Sequence, residues 1–98
     1  MEKVNHPEHY NQTGKKECIK QMQDDYGRYI TVVFCLTNAY KYLYRAGSKP
    51  DNSEDLDLQK AKWYFDYANN KLFSSINGSH AITLYRDVKE ELKRRKVL

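Results

Sequence analysis

The chain is poor in cysteine, proline and long apolar runs. It has two cysteines, two prolines and one tryptophan among 98 residues. Cys18 and Cys35 lack the close spacing of metal ligands, so we expect reduced structural thiols in a cytoplasmic protein. Residues 30–36 form the longest apolar run, which is interrupted by a threonine and is too short to span a bilayer. Because no N-terminal segment resembles a signal peptide, we expect no association with a membrane.

The composition predicts one small domain over residues 1–98. The apolar fraction is 40% and the charged fraction is 31%, which leaves little material for a core. Nine tyrosines, against three phenylalanines, supply apolar area that ends in a hydroxyl group. Such side chains suit a ligand groove or a subunit interface. We expect a homo-oligomer, because small domains often complete their burial by association.

The net charge of +4 favours anionic partners but is too small to indicate nucleic acid by itself. Four of the cations lie together at residues 93–96. We interpret them as the end of a helix, where positive charge complements the macrodipole. A tail that contacts DNA is the alternative, so a nucleic-acid partner is the less favoured hypothesis.

Apolar periodicity predicts an all-α fold, a bundle of three to four helices over residues 16–98. Residues 1–15 have no periodicity and are predicted to form an extended arm. Gly27 and Gly47 favour helix ends, and the stretch Asp51-Asn52-Ser53-Glu54 offers an N-cap with a glutamate three positions on. The predicted helices cover residues 17–26, 28–46, 54–72 and 79–96.

Three of these helices have apolar residues at spacings of three and four, which predicts one buried face on each. For the second helix this face is Ile30, Val33, Thr37, Tyr40 and Tyr44. For the third it is Leu58, Ala61, Phe65, Ala68 and Leu72. For the fourth it is Ala81, Tyr85, Val88 and Leu92.

The second helix also carries a polar stripe and an unusually placed lysine. Projection at about 100° per residue gives a stripe composed of Asn38, Tyr42, Arg45 and Lys49. Lys41 falls instead between Phe34 and Thr37, beside the predicted apolar face. A desolvated lysine there would attract a phosphate strongly. The alternative is a lysine whose stem packs while its head reaches water.

Acidic residues open the third helix and offer two roles. Glu54, Asp55 and Asp57 complement the macrodipole at a helix start, and they could also hold Mg²⁺ beside a phosphate. Arg45 suits a two-pronged contact with a phosphate, or an ion pair with Asp55 or Asp57. Both alternatives stay open.

The N-terminal arm contains a short histidine motif. His6 and His9 flank an acid and precede Tyr10. The pair could ligate a metal, although a closed metal site needs more ligands than the neighbouring sequence offers. The other interpretations are a solvated arm, or an arm that folds over a bound base or phosphate with Tyr10 as a stacking surface.

Four blocks of the sequence, taken together, resemble a small family of bacteriophage proteins. The blocks are Val4-Asn5-His6-Pro7-x-His9-Tyr10, Glu17-Cys18-Ile19, Asn38-x-x-Lys41-Tyr42-Leu43-x-Arg45-Ala46-Gly47-x-Lys49 and Asp57-Leu58-x-Lys60-Ala61-x-Trp63-Tyr64. The resemblance spans roughly residues 4–68. Many members have no known function, and some are called phage nucleotide kinases. Thr37 departs from the pattern, which has a glycine there.

The resemblance implies a nucleoside monophosphate kinase without a P-loop, using ATP and Mg²⁺. The implied catalytic residues are Lys41, Arg45 and Asp57, with Asp57 orienting Mg²⁺ or the cations. The implied ligand-binding residues are His6, His9, Tyr10, Asn38, Tyr42, Lys49, Lys60, Trp63 and Tyr64. Such roles are physically reasonable, because phosphoryl transfer needs mainly positioning and charge neutralisation.

Two functional hypotheses follow. The first is a phage-encoded nucleotide-binding protein of the host cytoplasm, with deoxynucleoside monophosphate kinase activity. The alternative is a non-catalytic binder that sequesters a nucleotide or inhibits a host defence protein.

Overall fold

The computed structural model describes residues 17–48 and 53–98. These ranges contain four α-helices and no strand, which confirms the predicted all-α class. The helices are α1 (Cys18–Tyr26), α2 (Arg28–Arg45), α3 (Glu54–Lys71) and α4 (Ser79–Arg94), with a 3₁₀ turn at Phe73–Ser75. None of the helices in the described ranges has the length and apolar character needed to cross a membrane. The predicted arm, residues 1–15, lies outside the described residues.

Local chemistry sets the helix ends that the sequence predicts. Gly47 adopts φ +84°, a left-handed conformation that suits glycine, and α2 ends just before it. Ser53 caps α3, because its hydroxyl accepts a hydrogen bond from the backbone N–H of Leu56 at 3.2 Å. These ends fix where α2 stops and α3 starts, and therefore which side chains of the two helices face each other.

Helix α2 is the centre of the bundle and packs against α1, α3 and α4. The core is formed mainly by large side chains that are almost completely buried, namely Val32, Leu36, Phe65, Leu72, Val88 and Leu92. The predicted seam of α3 is confirmed, because Ala61, Phe65, Ala68 and Leu72 are buried and Leu58 packs against them. The predicted face of α4 is confirmed in the same way, with Tyr85 only partly buried.

The predicted buried face of α2 is wrong except at Val33, which is half-buried and packs against the core. Ile30, Tyr40 and Tyr44 are 54%, 57% and 79% exposed, and Thr37 is exposed as well. The buried residues of this helix are instead Thr31, Val32, Cys35, Leu36, Ala39 and Leu43. Apolar residues extend around most of α2, so two opposite stripes share the spacing of three and four. Periodicity alone does not choose between them.

Candidate functional site

Three cations from α2 and α3 lie against the ring of Tyr42. The Nζ atoms of Lys41 and Lys60 are 4.5 and 5.5 Å from the ring centroid, and the guanidinium carbon of Arg45 is 5.1 Å from it. Cations at this range are attracted by the negative face of an aromatic ring. We call these four residues the cation cluster.

Asp57 is the buried partner of the cation cluster. Its Oδ1 accepts a hydrogen bond from Nη2 of Arg45 at 3.0 Å, and its side chain is 1% exposed against 29% for Arg45. The predicted ion pair between these residues is therefore present. The hydrogen bond to Asp57 raises the pKa of Arg45, so the guanidinium stays charged.

The pair uses only one of the two contacts that a guanidinium fork can make. Among the described residues, Arg45 Nε and Asp57 Oδ2 are buried without a hydrogen-bond partner. Buried polar atoms are normally hydrogen-bonded, so these two atoms mark the pair as incompletely satisfied. Arg45 keeps further donors, and its partly exposed side chain can present them to a ligand.

The structure decides between the two environments that the sequence predicts for Lys41. The residue is exposed, so the prediction of a desolvated lysine is wrong. The cause is the orientation of α2, whose core-facing stripe lies opposite the one that Lys41 borders. Lys41 therefore contributes a water-screened charge over the Tyr42 ring.

A series of aromatic rings continues from Tyr42 along α3. Tyr42 stacks on Tyr64 with centroids 6.0 Å apart, and Phe34 meets Tyr64 edge-on at 5.8 Å. Trp63 contacts Tyr64 at 5.1 Å and stacks on Tyr67 at 5.6 Å. The fold thus brings together the predicted ligand-binding residues Tyr42, Trp63 and Tyr64.

This aromatic series ends at a groove between α1 and α3. The groove has a volume of about 570 Å³, and its lining includes Trp63, Tyr67, Lys20 and Lys71. Its size falls within the range of small-molecule sites. Tyr67 is not among the predicted site residues, although it follows Trp63 by four residues and so lies on the same side of the helix.

The described residues do not fit a magnesium ion held by the protein alone. Within residues 17–48 and 53–98, no three metal-ligating side chains converge on a common point. Asp57 is covered, and one of its oxygens faces a guanidinium. Asp55 is exposed and accepts a hydrogen bond from Gln59 at 2.9 Å. A single carboxylate oxygen is too few ligands for this cation.

The remaining predicted site residues divide into two groups. Asn38 is half-buried on α2, about one turn before Tyr42. The predicted ligand-binding residues His6, His9, Tyr10 and Lys49 lie outside the described residues.

The cations at the C-terminal end of α4 interact within their own helix. Glu91 accepts hydrogen bonds from Arg94 and, at 2.7 Å, from Arg95 Nε. These hydrogen bonds lower the pKa of Glu91 to about 2. Two of the four cations are thus already engaged, which favours the helix-end interpretation over a DNA-contacting tail.

Fold and site define a small all-α protein with a cationic and aromatic face between two helices. The chain belongs to the protein family of unknown function DUF3310, whose model matches residues 4–66. No curated protein and no solved structure matches it significantly. The matched region contains α1, α2, most of α3 and the whole cation cluster, whereas α4 lies outside it.

Proposed function

We propose that the chain binds a phosphate-bearing nucleotide at the cation cluster. The observation that carries the proposal is the placing of three cations within 5.5 Å of one tyrosine ring. Asp57 pairs with Arg45, so the three cations and this carboxylate together leave a surplus of two positive charges. An anionic ligand would compensate this surplus.

The residues of the cluster suit different parts of this task. Arg45 offers planar donors that match phosphate oxygens, and its pair with Asp57 restrains the orientation of the guanidinium. Lys41 and Lys60 add point charges on flexible stems. In this proposal Mg²⁺ arrives with the nucleotide phosphates, and Asp57 acts as a positioning residue for Arg45.

The resemblance to phage nucleotide kinases extends the proposal to phosphoryl transfer from ATP to a deoxynucleoside monophosphate. Neutralisation of phosphate charge by three cations supports this extension, because it is the main requirement of such reactions. The alternative is a phage-encoded binder that sequesters a nucleotide, or inhibits a defence protein, in the host cytoplasm. Turnover distinguishes the two.

Binding can be tested through Trp63, the only tryptophan of the chain. We expect deoxythymidylate, deoxyguanylate or ATP to change its fluorescence, with an affinity that falls as salt is added. Lys60→Met should weaken binding about tenfold, the effect of losing one charged contact. Lys89→Met is the matched control, since Lys89 lies 5.8 Å from the ring of Tyr85 on α4. Equal effects of both variants, or no titration, would refute the site.

Activity is tested separately with ATP, Mg²⁺ and each deoxynucleoside monophosphate. More than one nucleoside diphosphate product per chain would establish the kinase. Arg45→Lys should then lower the rate more than the affinity, because it keeps the charge and loses the fork. Binding without turnover would reject the kinase and leave the binding proposal intact.

A further inference from the structure

The solvent-facing side of α2 is apolar along most of its length. Residues 29–40 contain no charged side chain. Ile30, Thr37, Tyr40 and Tyr44 are exposed, and Val33 is half-buried. These five residues follow one another at intervals of three, four, three and four. We call them the α2 seam.

This spacing has a known physical use. An apolar repeat that averages 3.5 residues keeps one stripe of a helix facing a neighbouring helix. A helix that is apolar around most of its circumference is normally buried on all sides. Within residues 17–48 and 53–98, Val33 at the margin of the seam packs against the core and the other four residues are exposed, so the seam lacks the neighbour that its pattern requires.

We propose that the α2 seam binds the same seam of a second copy of the chain. The two α2 helices run antiparallel and are related by a two-fold axis near Thr37. The sequence of the seam is complementary to itself in that direction. Ile30 would meet Tyr44 of the partner subunit, and Val33 would meet Tyr40 of the partner subunit. Each aromatic ring then faces an aliphatic side chain, and the two threonines meet at the axis.

Charge favours the antiparallel direction. Lys41 and Arg45 lie toward the C-terminal end of α2, whereas exposed Asp25 lies just before its N-terminal end. Arg28, the cation at that end, is engaged on the other side of the helix, where it donates hydrogen bonds to Ser75 and to the carbonyl of Lys71. Antiparallel pairing brings these opposite charges to the same end of the interface. The two Lys41 residues are then eight positions apart along the axis, about 12 Å, which exceeds the screening length of physiological salt. Parallel pairing would place Lys41 beside Lys41 of the partner subunit.

A groove of about 310 Å³ between α2 and α4 widens the interface. Tyr40 and Tyr44 form one wall, and Leu43 and Val88 also line it. In the antiparallel arrangement Tyr29 of the partner subunit reaches this end of the seam, on the side of the groove. Tyr29 is 50% exposed, so it is free to insert. The groove thus adds apolar contact beyond that of the seam alone.

The test uses the full chain and two substitutions at the two-fold axis. We expect the wild-type protein to sediment as a dimer, and Thr37→Arg and Thr37→Glu each to weaken dimerisation at least tenfold, because like charges meet at the axis. An equimolar mixture of the two variants should recover the dimer, since opposite charges then meet. Thr83→Arg, on exposed helical surface of α4, is the matched control and should remain dimeric.

Circular dichroism of the monomeric variants checks that they fold, and the wild-type midpoint of thermal unfolding should rise with protein concentration. A monomeric wild type would overturn the proposal, including the case in which the N-terminal segment covers the seam. Dimeric Thr37→Arg would also overturn it. If the wild type is a dimer but the equimolar mixture of Thr37→Arg and Thr37→Glu stays monomeric, the two-fold axis does not lie at Thr37.

Discussion

The carboxylate of Asp57 lies behind the guanidinium of Arg45, with Oδ1 3.0 Å from Nη2. This contact joins the first turn of α3 to the last turn of α2, so it links the fold to the cation cluster. Asp57 is covered, whereas Arg45 remains partly open to solvent. Asp57 therefore acts on the site by holding Arg45 in place. Both the stability of the fold and the affinity for a ligand should depend on Asp57.

Replacement of Asp57 by Asn should separate these two contributions. The amide keeps the size of the side chain but leaves the buried edge of Arg45 without its counter-charge. We expect the midpoint of thermal unfolding to fall by about 5–10 °C, and nucleotide affinity to weaken because Arg45 loses its orientation. Asp55→Asn is the control on exposed surface. An unchanged unfolding midpoint would show that the pair contributes nothing to the fold.

The corrected orientation of α2 predicts which apolar truncations are costly. Leu36 is 0% exposed, so Leu36→Ala should lower the free energy of unfolding by about 2–5 kcal/mol through lost contacts and a cavity. Ile82 on α4 is 52% exposed, so Ile82→Ala should change the free energy of unfolding by less than about 0.5 kcal/mol. Urea unfolding at fixed protein concentration measures both. Similar losses for the two variants would contradict the assigned core.

The lowered pKa of Glu91 predicts that the folded chain loses stability in acid. Hydrogen bonds from Arg94 and Arg95 lower its pKa in the folded chain to about 2, from an ordinary value of 4.5. The unfolded chain therefore binds a proton first, so the stabilisation is complete above pH 4.5 and is lost between that value and pH 2.

Glu91→Gln tests this sign directly. At pH 7 the variant should unfold about 2–5 °C below the wild type, because pairs near the surface are individually weak. The difference should shrink below pH 4.5 and in high salt. Thermal scans from pH 7 to pH 2 measure it. A difference that stays constant with pH would exclude an ionic role for Glu91.

The two thiols should react at different rates. Cys18 is exposed, whereas Cys35 is buried and its pKa is raised to about 12 by that burial. Since the thiolate is the reactive form, a disulfide reagent should modify one thiol rapidly and the second only on unfolding. The absorbance of the thiol that the reagent releases, measured with and without denaturant, gives the number of cysteines that have reacted. Rapid release of two equivalents from the native chain would contradict the burial of Cys35.

The sequence predicted the helices well because capping residues and glycines act locally. Gly47 follows the end of α2 and Ser53 precedes the start of α3, and neither effect depends on how the helices pack. The orientation of α2 is a tertiary property, since it depends on which of two apolar stripes finds α3 and α4. That single misassignment also misplaced Lys41. The contact of Lys60 with Tyr42 depends on the packing of α2 against α3, which periodicity does not provide.

The order of the helices along the chain has a consequence for synthesis on the ribosome. Helix α2 is made before α3 and α4, the two helices that cover much of its core-facing side. Translation adds about 5–20 residues per second, so this apolar segment waits on the order of seconds for its neighbours. During that interval both of its apolar stripes are accessible. Protection of the nascent chain, by a chaperone or by early pairing with α1, is therefore most needed while residues 46–94 are being added.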